Sequence, residues 1–141
     1  MERTERREVY YDGVHCNLAI QQFRSGVVVL KISGNDVGEF GDAPMVALSG
    51  WLDGRAPVEF FIDAHEVRGA SIEVSGDWAQ WLGKHRAQLR TITMLTGSHF
   101  IRITAEFVRR FADLEGIMRI CTEPGVFDRE LKEALGNPDH K

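Results

Sequence analysis

Two serines in the segment 63–76, DAHEVRGASIEVSG, are the residues best placed for regulated chemistry. Ser71 and Ser75 are candidate phosphoacceptors, and we favour Ser75 because Ser75-Gly76 precedes the apolar pattern of a helix. At a helix start, the Ser75 hydroxyl would accept a hydrogen bond from a free backbone N–H group, which stabilises the helix by about 1 kcal/mol. A phosphate there would lie at the positive end of the helix dipole, which tolerates its charge. The pattern therefore allows both a structural cap and a phosphorylation site.

Four of the ionisable side chains of this segment and its last glycine are the candidate partner-binding residues. They are Asp63, His65, Glu66, Glu73 and Gly76. A histidine beside a carboxylate can act as a general acid or base, but no nucleophile neighbours His65, so we predict no enzymatic activity. We predict instead a polar loop that binds a protein partner, with Asp63 accepting backbone hydrogen bonds where the preceding strand ends.

The histidines and cysteines lack the spacing of a metal site. The five histidines form no HxH or HExxH pair, and Cys16 and Cys121 belong to no CxxC pair. The sequence also contains no Walker-type or GxGxxG loop. We therefore predict no metal and no cofactor, and we interpret both cysteines as small core residues of a protein in a reducing compartment.

Composition narrows the classes of partner and the location. The net charge of −4 and the pI near 5.7 argue against a protein that coats nucleic acid or an anionic membrane. No apolar run approaches the roughly 20 residues that span a bilayer, and the charged start, MERTERREVYYDG, lacks the apolar core of a signal peptide. We expect a cytoplasmic protein without stable membrane insertion.

The elements that must position the segment 63–76 alternate between strands and helices. The 141 residues, 43% of them hydrophobic, suit one domain with its own core. Runs of β-branched and apolar residues predict five strands, at 16–24, 27–32, 58–63, 91–95 and 117–122. Helical periodicity predicts four helices, at 44–52, 77–89, 100–114 and 126–135. The order β-β-α-β-α-β-α-β-α indicates a single α/β domain, 13–137, built on a mixed five-stranded sheet. Residues 1–12 are predicted to form a flexible tail.

Aromatic residues recur at helical spacing in the second and third predicted helices. Phe107 and Phe111 belong to an apolar stripe that we predict to face the core, with Arg109 and Arg110 outside. Packing in the core is the commoner role for such aromatics, Trp78 and Trp81 included. The alternative is that Trp78, Trp81, Phe107 and Phe111 line a pocket for a small apolar ligand.

The strand ending in Asp63 and the segment after it resemble the STAS domain of bacterial anti-sigma-factor antagonists and sulfate transporters. The looser STAS/SEC14-like relatives are similar over about 16–135. The family's phosphoacceptor segment opens with a D-L-S-x-V phrase, and Asp-Ser-Ser-Gly follows at the next helix. In this chain the first phrase is matched at Asp63 and Val67.

The second phrase can be aligned in two registers. Two extra residues in the connection align Glu73-Val74-Ser75-Gly76 with it, and we favour this register because it keeps the second serine and the glycine. Without a gap, the phrase falls on 71–74. Glu73 would then stand as a permanent negative charge where the family has its phosphoserine.

The resemblance implies a STAS-like fold and a non-enzymatic regulatory module that binds a protein partner. Because SEC14 relatives bind lipids, the alternative function is binding of a small apolar ligand or lipid. An exposed apolar helix face, if the fold has one, would favour a homodimer.

Overall fold

The computed structural model describes residues 7–23, 26–52 and 57–136. Its strands are β1 Arg7–Asp12, β2 Cys16–Phe23, β3 Val27–Asp36, β4 Val58–Ala70, β5 Leu89–Thr96 and β6 Met118–Cys121. Its helices are α1 Ala43–Leu52, α2 Ile72–Lys84, α3 His99–Phe111 and α4 Pro124–Gly136. A short 3-10 turn, Arg86–Gln88, connects α2 to β5. Within these residues, no helix is long and apolar enough to cross a membrane.

The strands form one mixed sheet in the order β1-β2-β3-β4-β5-β6. The strands β1, β2 and β3 pair antiparallel, and β3 to β6 pair parallel. The prediction of a single mixed α/β domain with four helices is confirmed, with six strands in place of five.

The additional strand, β1, lies in the segment predicted as a flexible tail. That prediction is wrong for residues 7–12, and residues 1–6 lie outside the described residues. The strand forms because Val9 and Tyr11 pack against the core, while Glu8, Tyr10 and Asp12 face outward. At a sheet edge, half of the side chains are solvated. The sequence REVYYD therefore looks too polar for a strand.

Helices cover both faces of the sheet. The main core cluster joins the sheet to α1, α2 and α3 through residues such as Leu48, Leu82 and Ala105. A smaller cluster on other sheet residues, Val27, Phe61 and Leu95, packs against Phe127 of α4. Because β3, β4 and β5 pair parallel, their carboxyl ends meet at one edge of the sheet. The helices α2 and α3 begin at this edge.

The strand β4 has 13 residues, about twice the predicted length, because it continues past Asp63 to Ala70. It stays paired with β3 through two bulges, each of which adds one residue to β4. The first lies between Asp63 and Glu66, and the second between Val67 and Gly69. Such bulges break the alternation of buried and exposed side chains. This explains why the sequence AHEVRGA resembles a loop, and the predicted partner-binding loop is in fact strand followed by helix.

The helix α3 turns its phenylalanines away from the core, contrary to the prediction. The buried residues are Ile101, Ala105 and Val108, whereas Phe107 and Phe111 are exposed. Short side chains fill the narrow space between α3 and the sheet, so the bulky ones remain outside. The sequence carries apolar residues on two adjacent faces of this helix, and periodicity alone cannot say which face is buried.

Candidate functional site

The start of α2 is set by Ser71, which acts as the helix N-cap. Its hydroxyl oxygen accepts a hydrogen bond from the Val74 N–H at 3.1 Å, and its carbonyl accepts one from the Ser75 N–H at 3.0 Å. Its own N–H donates to the Asp36 carbonyl at 3.0 Å, which ties the helix start to the end of β3. The cap that we predicted at Ser75 is therefore formed four residues earlier.

Ser75 and Gly76 lie inside the first turns of α2, so their prediction as a helix start is wrong. The Ser75 side chain is half-buried and faces a cavity beneath the helix. Gly76 is exposed, and a Cβ atom built on it would meet nothing within 4 Å. Neither the backbone conformation nor the space around it requires a glycine at this position.

The outer face of the α2 start exposes an apolar side chain beside a charge. Ile72, the first residue of the helix, is 91% exposed, and Glu73 next to it is exposed as well. Gly76 lies one turn after Ile72 on the same helix face. We call Ile72, Glu73 and Gly76 the helix-start surface.

A shallow polar depression adjoins the carboxyl ends of β3, β4 and β5. The predicted site residues His65 and Glu66 line it, both exposed, together with His15 and Ser98. Ser98 is the N-cap of α3, because its hydroxyl accepts a hydrogen bond from the Ile101 N–H at 3.1 Å. The depression thus contains two imidazoles, a carboxylate, the Arg68 guanidinium and a hydroxyl that already serves as a cap.

Asp63 stabilises the first bulge of β4. Its Oδ1 atom accepts a hydrogen bond from the His65 N–H at 3.1 Å. Gly97 packs directly against the other side of this bulge, since a Cβ atom there would collide with the His65 carbonyl oxygen. Asp63 accepts a backbone hydrogen bond, as predicted, but within a strand and not at its end.

A small apolar cavity of about 100 Å³ lies between the sheet, α2 and α3. Of the four aromatics predicted to line a pocket, Trp78 does so. Trp81 is a core residue whose indole N–H donates to the Ser49 hydroxyl at 2.9 Å, and Phe107 and Phe111 lie on the outer face of α3. The cavity walls are otherwise aliphatic, with Ser75, Thr104 and Asp36 as the polar groups.

Asp36 brings a carboxylate to this cavity at the end of β3. The residue is only 7% exposed, and its Oδ1 atom accepts a hydrogen bond from the Gly38 N–H at 3.2 Å. Burial raises the pKa of the Asp36 carboxyl, the Gly38 hydrogen bond lowers it, and the nearby Glu39 raises it, with burial the largest effect. An acid whose neutral form is favoured in a small apolar space is a recurrent feature of binding sites.

Glu39 joins the β1–β2 turn to the segment after β3. Its carboxylate accepts hydrogen bonds from the Val14 and His15 N–H groups at 3.0 and 2.9 Å.

Burial, with smaller contributions from Asp36 and Glu39, raises the pKa of the Cys16 thiol to about 11. The protonated thiol is unreactive, which agrees with the prediction of a core cysteine.

Among the described residues, no group of three histidine, cysteine, aspartate or glutamate side chains could hold a metal ion.

Sequence reasoning missed Asp36 and Glu39, which lie in the Gly-rich segment 33–43. The sequence does carry an indication of them, because Asp36 and Glu39 lie between glycines directly after a β-branched strand. Because glycines and acids are also typical of irregular connections, this composition does not by itself indicate a site.

The structure is similar to a solved protein over nearly the whole chain. That protein is an uncharacterised member of the DUF3478 family from Shewanella loihica, described as having a SpoIIAA-like fold. The TM-score is 0.59 at 14% sequence identity, and the match covers 93% of this chain and 97% of the other. This chain has a SpoIIAA-like fold. Because that is the fold of STAS domains and anti-sigma-factor antagonists, the predicted STAS-like fold is confirmed.

Sequence comparisons do not extend this result. No protein-family model matches the sequence, and no curated protein sequence matches it significantly. At 14% identity, the solved structure establishes the fold alone.

Proposed function

We propose that the protein is a non-enzymatic regulatory module that binds a protein partner through the helix-start surface. The observation that carries the proposal is the 91% exposure of Ile72 at the start of a capped helix. Burying an isoleucine side chain at an interface contributes about 1.5–3 kcal/mol. Against the rest of the described structure, so exposed a side chain gains little from packing, and packing therefore does not explain an apolar residue here.

Gly76 supports the same surface. Because its backbone conformation and its surroundings do not require glycine, Ala at this position would favour the helix by about 1 kcal/mol. A missing side chain one turn from Ile72 lets a partner's backbone approach α2 closely. His65 and Glu66, in the adjacent depression, provide polar contacts at the rim.

The position of the helix start supports the ungapped register of the family motif. With Ser71 as N-cap, the Asp-Ser-Ser-Gly phrase of the family falls on 71–74, at the head of α2. Glu73 then takes the place of the second serine, where its charge lies in the first turn at the positive end of the helix dipole. We propose that Glu73 provides a fixed charge to the partner where relatives use a phosphate.

If phosphorylation occurs as well, Ser71 is a better acceptor than Ser75. Ser71 precedes the helix, so a phosphate there could accept hydrogen bonds from the free N–H groups of the first turn. Ser75 is half-buried over the cavity, and a dianion there would be desolvated beside apolar walls. Exposure to serine kinases of the host followed by intact-mass measurement distinguishes the two, with Ser71→Ala and Ser75→Ala as the paired variants.

Site-specific photo-cross-linking in the host tests the interaction. We expect p-benzoylphenylalanine at position 72 to capture one defined protein. The matched control places the same group at Val46, which is 62% exposed on α1. Capture should be lost when Glu73→Lys is added to the position-72 variant. Equal products from positions 72 and 46, or capture that ignores Glu73→Lys, would contradict the proposal.

A second candidate function is binding of a small apolar ligand in the cavity beside Trp78. The volume of about 100 Å³ is well below the roughly 300–1,000 Å³ of pockets for drug-sized molecules. It suits a ligand of a few heavy atoms, with a hydrogen-bond donor near Asp36, and not a lipid. Native mass spectrometry of freshly purified protein tests this candidate. A co-purifying mass that disappears in Ala105→Phe supports it, and the free mass alone argues against it.

A further inference from the structure

The outer face of α3 carries a second exposed apolar surface, separate from the helix-start surface. Phe100, Ile103, Phe107 and Phe111 are 51–64% exposed. Their spacing of three, four and four residues places them on one face of the helix. Phe107 and Phe111 stack on each other with ring centres 5.8 Å apart. We call these four residues the α3 stripe.

The α3 stripe is larger than the scattered apolar residues that a monomer exposes. Taking about 200 Å² per phenylalanine side chain, its three phenylalanines present roughly 350 Å² of apolar surface. Apolar patches of a few hundred Å² on a soluble domain are commonly interaction sites. Packing by the domain itself does not explain the stripe, because α3 already contacts the core through Ile101, Ala105 and Val108.

The parts of this sequence outside the described ranges are short and polar in composition. They are MERTER, Arg24-Ser25, DGRA and NPDHK, and Met1 is their one large apolar residue. Such polar segments would not bury four large apolar side chains.

We propose that the α3 stripe is the interface of a symmetric homodimer, in which α3 packs antiparallel against α3 of a second copy. The spacing of the apolar residues in the stripe is nearly the same when α3 is followed in either direction. An antiparallel pair therefore places Ile103 beside Phe107 of the other copy and Phe100 beside Phe111 of the other copy. A two-fold axis needs such a self-complementary patch.

The area and the charges agree with this arrangement. Pairing the stripes, with their immediate neighbours, would bury on the order of 1,000 Å² in total, which is about the minimum for a biological interface and suits a weak, concentration-dependent dimer. Glu106 lies at the border of the stripe, and its carboxylate is already paired with Arg102 of the same copy at 2.9 Å. The two copies therefore do not bring uncompensated Glu106 charges together.

Sedimentation equilibrium over a range of protein concentrations tests the dimer. We expect a mass of twice 15.9 kDa for the wild type. Phe107→Glu should raise the dissociation constant roughly 30-fold or more, as for a central interface residue. Val46→Glu, an equally exposed change on α1, should leave it unchanged. Circular dichroism should remain native in both variants, because neither side chain is buried within one copy.

Disulfide trapping tests the antiparallel orientation. The background variant is Cys121→Ser, and the buried Cys16 thiol, with its raised pKa, does not interfere. When Ile103→Cys and Phe107→Cys proteins are mixed under oxidising conditions, the disulfide between 103 and 107 should form in preference to that between two 103 positions. A monomer at all concentrations, or a dimer indifferent to Phe107→Glu, would overturn the proposal. Preference for the 103–103 disulfide would overturn the antiparallel arrangement.

Discussion

Asp36 holds a carboxylate where water is largely excluded, at the point where β3, the cavity and the start of α2 meet. Its backbone carbonyl accepts the Ser71 N–H, and this bond does not depend on the side chain. Burial raises the pKa of the carboxyl, so the folded state favours the protonated form. That contribution is fully present below the ordinary pKa of 3.8 and is lost as pH rises through the raised folded-state value. At neutral pH the raised pKa of Asp36 therefore lowers the stability of the fold.

Asp36→Asn should consequently stabilise the protein at neutral pH by roughly 0.5–2 kcal/mol, in the range of single stabilising substitutions. Asparagine keeps an oxygen that can accept the Gly38 N–H. Urea unfolding at neutral pH and below pH 3.8 measures the effect, and the gain should vanish at the lower pH. The exposed Asp12→Asn is the control, with little change at either pH. A loss of stability for Asp36→Asn at neutral pH would show that the carboxylate has a partner in the folded protein.

Residue chemistry could be predicted from the sequence more reliably than residue position. The burial of Cys16 and the backbone hydrogen bond to Asp63 both followed from residue types. The choice between Ser71 and Ser75 did not, because either serine precedes residues that can continue a helix. What decides it is the path of β4, which brings Ser71 next to the Asp36 carbonyl.

At the scale of the element, the N-cap of α2 is the feature that positions the helix-start surface. Ser71→Ala should destabilise the protein by about 1 kcal/mol, because the Val74 N–H loses its acceptor. Ser75→Ala should be neutral or slightly stabilising, since alanine favours the helix interior and this hydroxyl is not the cap. Thermal and urea unfolding of the two variants measure this difference. If Ser75→Ala proved the more destabilising of the two, the helix would begin where the sequence alone suggested.

Two elements show why local patterns were insufficient. The strand β4 continues through bulges that destroy its alternation, so only pairing with β3 reveals it. In α3 the apolar residues cover two faces, and the larger side chains indicated the wrong one. In both cases, contacts with a neighbouring element decide the structure. Such contacts cannot be read from the sequence of the segment alone.

For the whole molecule, the order of strands and helices was predictable because the inner strands are nearly continuous apolar runs. Both 27–30 and 58–62 are buried between helices on the two faces of the sheet. The edge strand β1 was not predictable, since half of its side chains face solvent. The central strands of the fold could thus be predicted from the sequence, whereas its edge could not. The proposed partners are inferred from the surface that the folded structure exposes.

The two exposed apolar surfaces divide the proposed interactions of the molecule. The helix-start surface on α2 is the proposed binding site for the protein partner, and the α3 stripe is the proposed interface with the second copy. Each is tested by its own variant, since Phe107→Glu should change the dissociation constant of the dimer and leave Ile72 and Glu73 intact. Failure of one proposal would therefore leave the other standing.

The most direct test of the central claim is the affinity of the cross-linked partner, once identified, for three purified forms of the protein. Isothermal titration calorimetry should give a dissociation constant at least about tenfold higher for Ile72→Asp than for the wild type, which corresponds to roughly 1.4 kcal/mol. Val46→Asp, the control on α1, should bind like the wild type. Equal affinities for all three forms would place the binding surface elsewhere and contradict the account.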